Sequence, residues 1–401
     1  MATYTRAEAA ERSGVTVDEL SQLVEIGILR PGAEDRFSAG DVRRVGVVQS
    51  LLDAGIPRDL LARTIRDGAL SLAFMDDPSY SNFAALSSET FQALSARTGI
   101  PLPLLMVVRE AIGSAQPRPE DRVREDEMKI VPFIEFELTH GFRPIVIERF
   151  LRVAGESLRR VAEAEADAWA SEVMAPLFAA GLSMAEIGDA SSKLATPIGE
   201  LGEKALMAAY HAHEMHAWTA NIVDGIENRL AQAGLHSRLE RPPAMCFLDI
   251  TGYTRLTQER GDAAAADLAG TLARLVERTS VRHGGRPIKW LGDGVMFFFK
   301  DPGPGVVAAL DMVDGVIGAG LPPAHVGLHA GPVIFQEGDY YGQTVNVASR
   351  IAEYARPGEV LVSQEVVDAA SGAEVEFREI GPIELKGVAG ALRLHAAQRP
   401  A

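Results

Sequence analysis

Two aspartates stand at the ends of short apolar segments in the C-terminal part of the chain. Asp249 ends the run MCFL and is followed by Ile250 and a Thr-Gly-Tyr-Thr turn, whereas Asp293 lies in a Gly-Asp-Gly hairpin signal. An isolated Gly-Asp-Gly more often marks only a turn. Carboxylate oxygens suit hard divalent cations, and the N–H groups of a turn that opens a helix suit phosphate. If the two strands are neighbours, both aspartates should converge on one pair of cations beside a polyphosphate.

A third polar segment, GDYYGQTVNVASR, begins at Gly338. Asn346 and Arg350 are four residues apart in it, so a helix would place them on one face. An arginine on an apolar helix can instead be a structural ion-pair partner. The preceding Asn and the Asp-Tyr-Tyr-Gly turn favour a ligand-binding face.

The elements that would position these residues are short strands alternating with amphipathic helices. Strand-like segments are predicted over 244–250, 295–299, 324–335 and 359–363. Helices are predicted over 263–283 and 306–317. This alternation after Pro243 indicates a layered α/β or α+β sheet domain of about 155 residues.

In this order, the three polar segments resemble those of the class III nucleotidyl cyclases, and the resemblance covers residues 243 to 397. It implies an α+β catalytic domain whose mixed sheet is ferredoxin-like at its centre and carries flanking helices. It also implies a homodimer in which each site is shared by two chains, with two divalent cations, Mg²⁺ or Mn²⁺, as cofactors.

The resemblance assigns a role to each matching residue. The implied metal ligands are Asp249, Ile250 and Asp293. The purine-contacting pair is Lys289 and Asp339, and the transition-state residues are Asn346 and Arg350. The other implied substrate contacts are Thr251, Gly252, Tyr253 and Lys386, the last in the short motif Glu-Leu-Lys-Gly.

These side chains suit the conversion of ATP into 3′,5′-cyclic AMP and pyrophosphate. The ribose 3′-oxygen must attack the α-phosphorus, and cations held by carboxylates can acidify the hydroxyl and neutralise the leaving group. Arg350 can hold the charge that develops on phosphate oxygens, and Asn346 can orient the ribose. A Lys donor and an Asp acceptor complement N1 and N6 of adenine, whereas guanine presents the reverse pattern. Lys289 and Asp339 therefore favour ATP, with a guanylate cyclase as the alternative.

The first 70 residues predict short helices with Thr and Ser caps, and their pattern resembles the MerR-type winged-helix DNA-binding module. The segment that would be its recognition helix, residues 16–25, carries three carboxylates and no lysine or arginine. Arg43, Arg44 and Arg58 could touch a phosphate backbone, but this acidic helix would repel one. We therefore favour a helical fold kept for packing or regulation over DNA binding.

Two other functional classes remain open. One is a DNA-binding or signal-responsive regulator that carries a cyclase-like domain, which the acidic helix opposes. The other is a non-catalytic cyclase-like scaffold, which the complete polar set opposes.

Residues 71 to 235 are predicted to be almost entirely helical, with long runs of Ala, Glu, Leu and Arg. A narrow apolar seam suited to a partner helix recurs every four residues at Trp218, Ile222, Ile226 and Leu230. The seam could transmit a signal to the shared sites or only dimerise the chain. The predicted parts are a winged-helix module (1–70), a helical regulatory domain (71–215), a transmitter helix with linker (216–243) and a cyclase domain (244–398).

The signal that would act on the helical half is less well defined by the sequence. His211, His213 and His216 precede the seam, and histidines titrate near neutral pH, so pH is one candidate effector. The alternative is that they are incidental surface residues. The Ala- and Leu-rich helices could also enclose an apolar ligand such as a lipid, or form an ordinary core.

Composition limits the remaining possibilities. The chain has 401 residues, 47% of them hydrophobic, and a net charge of −16, which fits a globular protein of several domains without general affinity for polyanions. No apolar run is long enough to cross a bilayer and no secretory signal is visible, so no membrane span is expected. Cys246 is the single cysteine, and a reducing cytoplasm is the predicted location.

Overall fold

A computed structural model of the chain describes residues 3–76, 80, 85–235, 241–253, 258–259, 261–370 and 374–400. The chain forms two compact units, Met1–Asp224 and Gly225–Ala401, which are described separately. Most of the predicted linker (236–240) and Thr254 lie outside the described residues. No described helix is long and apolar enough to cross a membrane.

The first unit is mainly helical, with two small antiparallel sheets in which β1 pairs with β2 and β3 with β4. In chain order its elements are β1 (Thr3–Tyr4), α1 (Arg6–Ser13), α2 (Val17–Glu25), β2 (Phe37–Ser38), α3 (Ala39–Asp53), α4 (Arg58–Arg66), β3 (Leu86–Thr90), α5 (Phe91–Thr98), α6 (Leu102–Ala111), β4 (Arg122–Arg124), α7 (Glu125–Met128), α8 (Val131–Thr139), α9 (Pro144–Trp169), α10 (Ala175–Ala179) and α11 (Met184–Gln232). Short 3₁₀ turns lie at Ala33–Asp35 and Ala73–Asp76, and a π-helical turn at Ala170–Met174 joins α9 to α10.

The predicted helix starts in the first unit are confirmed. Thr5, Thr16 and Ser38 each accept a hydrogen bond from the backbone N–H three residues on, and an acidic side chain at that position accepts from the cap residue's own N–H. Each such capping box stabilises its helix by about 1 kcal/mol.

Two of the cations that could have faced a phosphate backbone are used inside the fold. Arg43 donates to the Met75 carbonyl at 2.7 and 2.9 Å. Arg44 donates to the Leu72 carbonyl at 3.0 Å and to Asp41 at 2.6 Å. Both arginines therefore fasten the segment after α4 onto α3.

The segment expected to be almost entirely helical also contains the short β3–β4 pair. Leu86 pairs with Arg124 and Thr90 with Arg122. Val123, between the two arginines, is 1% exposed and belongs to the core of the helices around it. Burial of Val123 thus stabilises a strand in a segment whose own β-propensity is weak.

Helix α11 runs for 49 residues from Met184 to Gln232. It therefore includes the segment from residue 216 onward that we expect to act as the transmitter helix. Its last residues belong to the second unit.

The second unit is an α+β domain, as predicted. In chain order its elements are β5 (Ala244–Ile250), α12 (Asp262–Arg282), β6 (Gly285–Leu291), β7 (Gly294–Phe299), α13 (Pro302–Gly318), β8 (Ala324–Ala330), β9 (Ile334–Gln336), β10 (Asp339–Tyr341), α14 (Gln343–Tyr354), β11 (Val360–Ser363), α15 (Gln364–Ala369), β12 (Glu376–Glu384) and β13 (Ala391–Gln398). The segment predicted as one strand over 324–335 is divided into β8 and β9.

Seven strands form one mixed sheet in the order β12-β13-β11-β8-β5-β7-β6. Only β8 and β11 are parallel neighbours; every other pairing in the sheet is antiparallel. Strands β9 and β10 form a separate antiparallel hairpin.

The central strands are apolar on both faces, which explains their continuous hydrophobic runs. Cys246, Leu248 and Phe297 belong to the core that includes α12 and α13. Met245 and Met296, one position away on the same strands, face Tyr340 and Ala348 on the other side. This alternation fixes which residues of each strand can reach the end of the sheet.

Gly327 allows α14 to lie directly on the sheet. A Cβ at this position would be 2.1 Å from the backbone nitrogen of Ala352 and 2.7 Å from its Cα. Because the obstructing atoms are backbone, any side chain at position 327 would push the helix away.

We expect Gly327→Ala to lower the free energy of unfolding by about 1–3 kcal/mol, because overpacking displaces α14. The measurement is the thermal unfolding midpoint of the purified chain. Gly318→Ala is the matched control, since a Cβ at Gly318 in α13 meets nothing within 4 Å. Equal midpoints for the two variants would contradict the close approach.

Candidate functional site

Asp249 and Asp293 meet at one end of the sheet, where β5 lies beside β7. Asp249 pairs with Gly294, and Asp293 occupies the turn between β6 and β7. A Cβ at Gly294 would lie 3.1 Å from Oδ1 of Asp249, so the glycine leaves room for the carboxylate. Burial raises the pKa of Asp249, and the neighbouring Asp293 carboxylate raises it further, partly offset by His325.

This donor set fits a hard divalent cation. Two carboxylates with mutually unfavourable charges lie side by side, and a cation between them would relieve that repulsion. Ile250 ends β5 and has an aliphatic side chain without a donor atom, so only its backbone carbonyl could act as a ligand. Among the described residues, no group of three or more His, Cys, Asp or Glu side chains is arranged to hold a metal.

The turn after β5 only partly fits the predicted phosphate cradle. The Thr251 N–H donates to the Pro323 carbonyl at 2.9 Å, so this amide is already used within the fold. Gly252 has a φ of 78°, a left-handed backbone conformation that favours glycine. Tyr253 packs against the core below the turn.

His325 is a site neighbour that the sequence analysis missed. It lies opposite Asp249 on β8, with Nε2 3.7 Å from Oδ2 of Asp249 and Nδ1 3.2 Å from the Thr251 hydroxyl. It therefore links the carboxylate to the turn. Its signal was the strand register, because β8 pairs with β5 on the side away from β7.

Lys289 and Asp339, 50 residues apart in the chain, are in direct contact. The Lys289 ammonium donates to Oδ2 of Asp339, and the Tyr340 N–H donates to Oδ1 at 2.8 Å. Lys289 lies on β6 and Asp339 begins β10. A donor and an acceptor are thus held side by side, with 40% and 20% of their side-chain surfaces exposed.

Asn346 and Arg350 lie one turn apart on α14, as predicted. Asn346 is exposed and Arg350 half-buried. Nη1 of Arg350 donates to both carboxylate oxygens of Glu353 at 2.6 Å. The guanidinium is therefore presented on the helix surface, held by a neighbour one turn further on.

Lys386 follows β12, at the opposite edge of the sheet from β6. Its neighbour Leu385 is buried in the cluster that contains Val347 and Ile351 of α14. The chain beside Lys386 therefore packs on the helix that carries Asn346 and Arg350, and Lys386 itself is exposed. Four strand spacings, roughly 19 Å, separate β12 from β5.

Part of the second unit matches a known protein family. Residues 323–397 match the family described as "Adenylate and Guanylate cyclase catalytic domain". The chain is 28% identical over 374 residues to a "pH-sensitive adenylate cyclase" of Mycobacterium tuberculosis, which covers 89% of this chain and 88% of the relative. It is 28% identical over 213 residues to an "Adenylate cyclase" of Streptomyces coelicolor, covering 53% of this chain and 52% of that protein.

Among solved structures, the chain is similar to the adenylyl cyclase CyaB from P. aeruginosa. The identity is 24% and the TM-score 0.35, over 40% of this chain and 94% of that chain.

The raised pKa of Asp249 has a consequence for stability. The folded protein binds this proton more tightly than the unfolded chain, so the ionised carboxylate lowers stability above the folded-state pKa and costs nothing below the unfolded-state pKa. We expect Asp249→Asn, without metal, to be more stable than the parent at neutral pH, with a gain that shrinks in acid.

Thermal unfolding in EDTA across the acid-to-neutral range measures this difference. Asp267→Asn, an exposed aspartate on α12, is the control and should show no comparable gain. A lower midpoint for Asp249→Asn at neutral pH would argue against repulsion at the site.

Proposed function

We propose that this chain, whose C-terminal domain belongs to the class III nucleotidyl cyclase family, is an adenylate cyclase that converts ATP into 3′,5′-cyclic AMP and pyrophosphate. The observation that carries the choice of substrate is the contact between Lys289 and Asp339. It presents a donor and an acceptor in the order that adenine requires. We also propose a cytoplasmic location, since a chain with Cys246 as its single cysteine cannot form an internal disulfide.

Two cations, Mg²⁺ or Mn²⁺, would be held by Asp249, Asp293 and the Ile250 carbonyl; when bound they supply charge neutralisation and a more acidic ribose hydroxyl. The chain's own residues would bind and orient the nucleotide. Lys289 donates to adenine N1, and Asp339 accepts from the N6 amino group.

The residues of α14 act on the other end of the nucleotide in this proposal. Asn346 orients the ribose so that its 3′-oxygen faces the α-phosphorus. Arg350 exchanges Glu353 for phosphate oxygens on which charge develops, a role that in other phosphoryl-transfer sites is worth several kcal/mol. Lys386 adds positive charge on the same side.

The site is proposed to be shared between two subunits of a homodimer. The metal carboxylates of one subunit would serve the nucleotide that is held by the Lys289, Asn346 and Arg350 group of the other. Support comes from apolar side chains around the Lys289–Asp339 pair that are 41–62% exposed in the single chain and would be covered by a partner. They are Trp290, Leu291, Ile334, Phe335 and Tyr341.

The helical half is proposed to regulate the enzyme through α11. The apolar seam at Trp218, Ile222, Ile226 and Leu230 is 40–61% exposed, as expected of a surface that awaits a partner helix. His211, His213 and His216 are exposed just before this seam, and His211 lies 3.3 Å from Glu214. Protonation would add charge along this helix. The relative named as pH-sensitive supports pH as the signal.

The reaction is tested by incubating the full chain with ATP or GTP plus Mg²⁺ or Mn²⁺ and measuring cyclic nucleotide. We expect cyclic AMP from the parent chain, and a loss of at least about a hundredfold in Asp249→Ala and in Lys289→Ala. Arg278→Ala, an exposed arginine on α12, is the control and should keep full activity. No cyclic product under any condition would refute the assignment.

Mixing the two inactive variants tests the shared site. Half of the dimers in an equal mixture are mixed, and each keeps one intact composite site of two, so about a quarter of parental activity should return. Subunit exchange must first be demonstrated. If the exchanged mixture then regains no activity, a shared site is excluded.

The base contact is tested by reversing the charge of Lys289. Lys289→Glu would present an acceptor where guanine has its N1 donor, so kcat/KM for ATP should fall at least about a hundredfold, as in Lys289→Ala, and the preference should shift toward GTP. Lys289→Met is the matched control; it should lose ATP activity without favouring GTP. An unchanged ATP-to-GTP ratio in both variants would mean that Lys289 does not read the base.

A further inference from the structure

Arg286 and Lys289 lie on the same face of β6 although they are three residues apart. A regular strand places such residues on opposite faces. The register with β7 shifts by one residue between Pro287 and Lys289, so Arg286 pairs with Phe298 and Lys289 with Met296. Because Phe298 and Met296 share a face, this β-bulge aims both cations toward β10.

Arg286 is attached to Tyr340, the residue next to Asp339. Its guanidinium donates to the Tyr340 hydroxyl. Its Cζ also lies 5.4–5.5 Å from the ring centroids of Phe298, Phe335 and Tyr340, a cation–π arrangement with three rings. Tyr340 is 6% exposed and stacks on Phe298 at 4.6 Å. The cation and the tyrosine therefore restrain each other.

Both members of the Lys289–Asp339 pair are thus fixed to one strand. Lys289 belongs to β6 itself. Asp339 is connected to β6 through the Tyr340 N–H, which donates to its Oδ1 at 2.8 Å, and then through the Tyr340–Arg286 bond. The β9–β10 hairpin that carries Asp339 has only three residues in each strand, and so short a hairpin is unstable by itself.

We propose that Arg286 is a positioning residue for purine selectivity, which rests on the proposed function of the Lys289–Asp339 pair. Arg286 does not touch the base. By anchoring Tyr340 it keeps Asp339 where it accepts a hydrogen bond from the amino group of adenine. Without this anchor the hairpin shifts, ATP loses that bond, and GTP, which does not make it, loses little.

The test uses the full chain and three variants. Arg286→Met removes the guanidinium, Arg286→Lys keeps the charge but not the planar donor, and Tyr340→Phe removes one oxygen and keeps the stacking on Phe298. Arg278→Met is the matched control, since Arg278 is exposed on α12, away from β10. For each variant we would measure kcat and KM for ATP and GTP, and the dissociation constants of 3′-deoxy-ATP and 3′-deoxy-GTP, which lack the attacking hydroxyl.

We expect Arg286→Met to raise KM for ATP and the dissociation constant of 3′-deoxy-ATP about tenfold, with kcat little changed, because a base contact is made in ground and transition states alike. The values for GTP should change little, so the preference for ATP falls about tenfold. Arg286→Lys should be intermediate. Tyr340→Phe should reproduce part of the loss, and combining it with Arg286→Met should add little.

Equal losses for ATP and GTP, or an ATP-to-GTP ratio like that of Arg278→Met, would reduce Arg286 to a packing residue. If Arg286→Met does not fold, as judged by its unfolding midpoint, Tyr340→Phe decides the question. If the parent makes no cyclic nucleotide, the proposed function fails by itself; the two deoxynucleotide dissociation constants still test Arg286.

Discussion

Two like charges are held side by side at the end of β5, and much of the second unit is arranged to keep them there. Strand β5 is hydrogen-bonded on both sides, to β7 and to β8, so the backbone of Asp249 cannot move away from the turn that carries Asp293. His325 on β8 partly offsets this repulsion, because it lowers the pKa of Asp249 that burial and Asp293 raise. The sheet is apolar on both faces, and burial of these faces stabilises the domain enough to offset the local repulsion.

Much of this arrangement could be predicted because its signals are local in the sequence. The apolar runs before Asp249 and after Asp293 indicated strands, Gly-Asp-Gly indicated the hairpin that ends in β7, and the four-residue spacing of Asn346 and Arg350 indicated one helix face. The structure contains each of these elements. The pairing of Lys289 with Asp339 came from family resemblance alone, and the two side chains are in contact.

The features that were missed depend on strand register and on tertiary contacts. The bulge in β6 leaves no mark in its residue types, so nothing in the sequence singled out Arg286. His325 enters the site only because β8 lies beside β5, and the Thr251 N–H is used only because Pro323 is close. In the first unit, the same reason explains why Arg43 and Arg44 turned out to bind carbonyls of their own chain.

Close contact through Gly327 also limits how a shared site could open. Helix α14 rests backbone to backbone on β8, whose neighbour is β5, so Asn346 and Arg350 travel with the same sheet that carries Asp249. Sliding of this helix alone would meet immediate steric resistance. In the proposed homodimer, a change in the gap between one subunit's guanidinium and its partner's carboxylates would then come from rigid-body rotation of whole catalytic domains, a motion that distances between spin labels on opposite subunits would report directly.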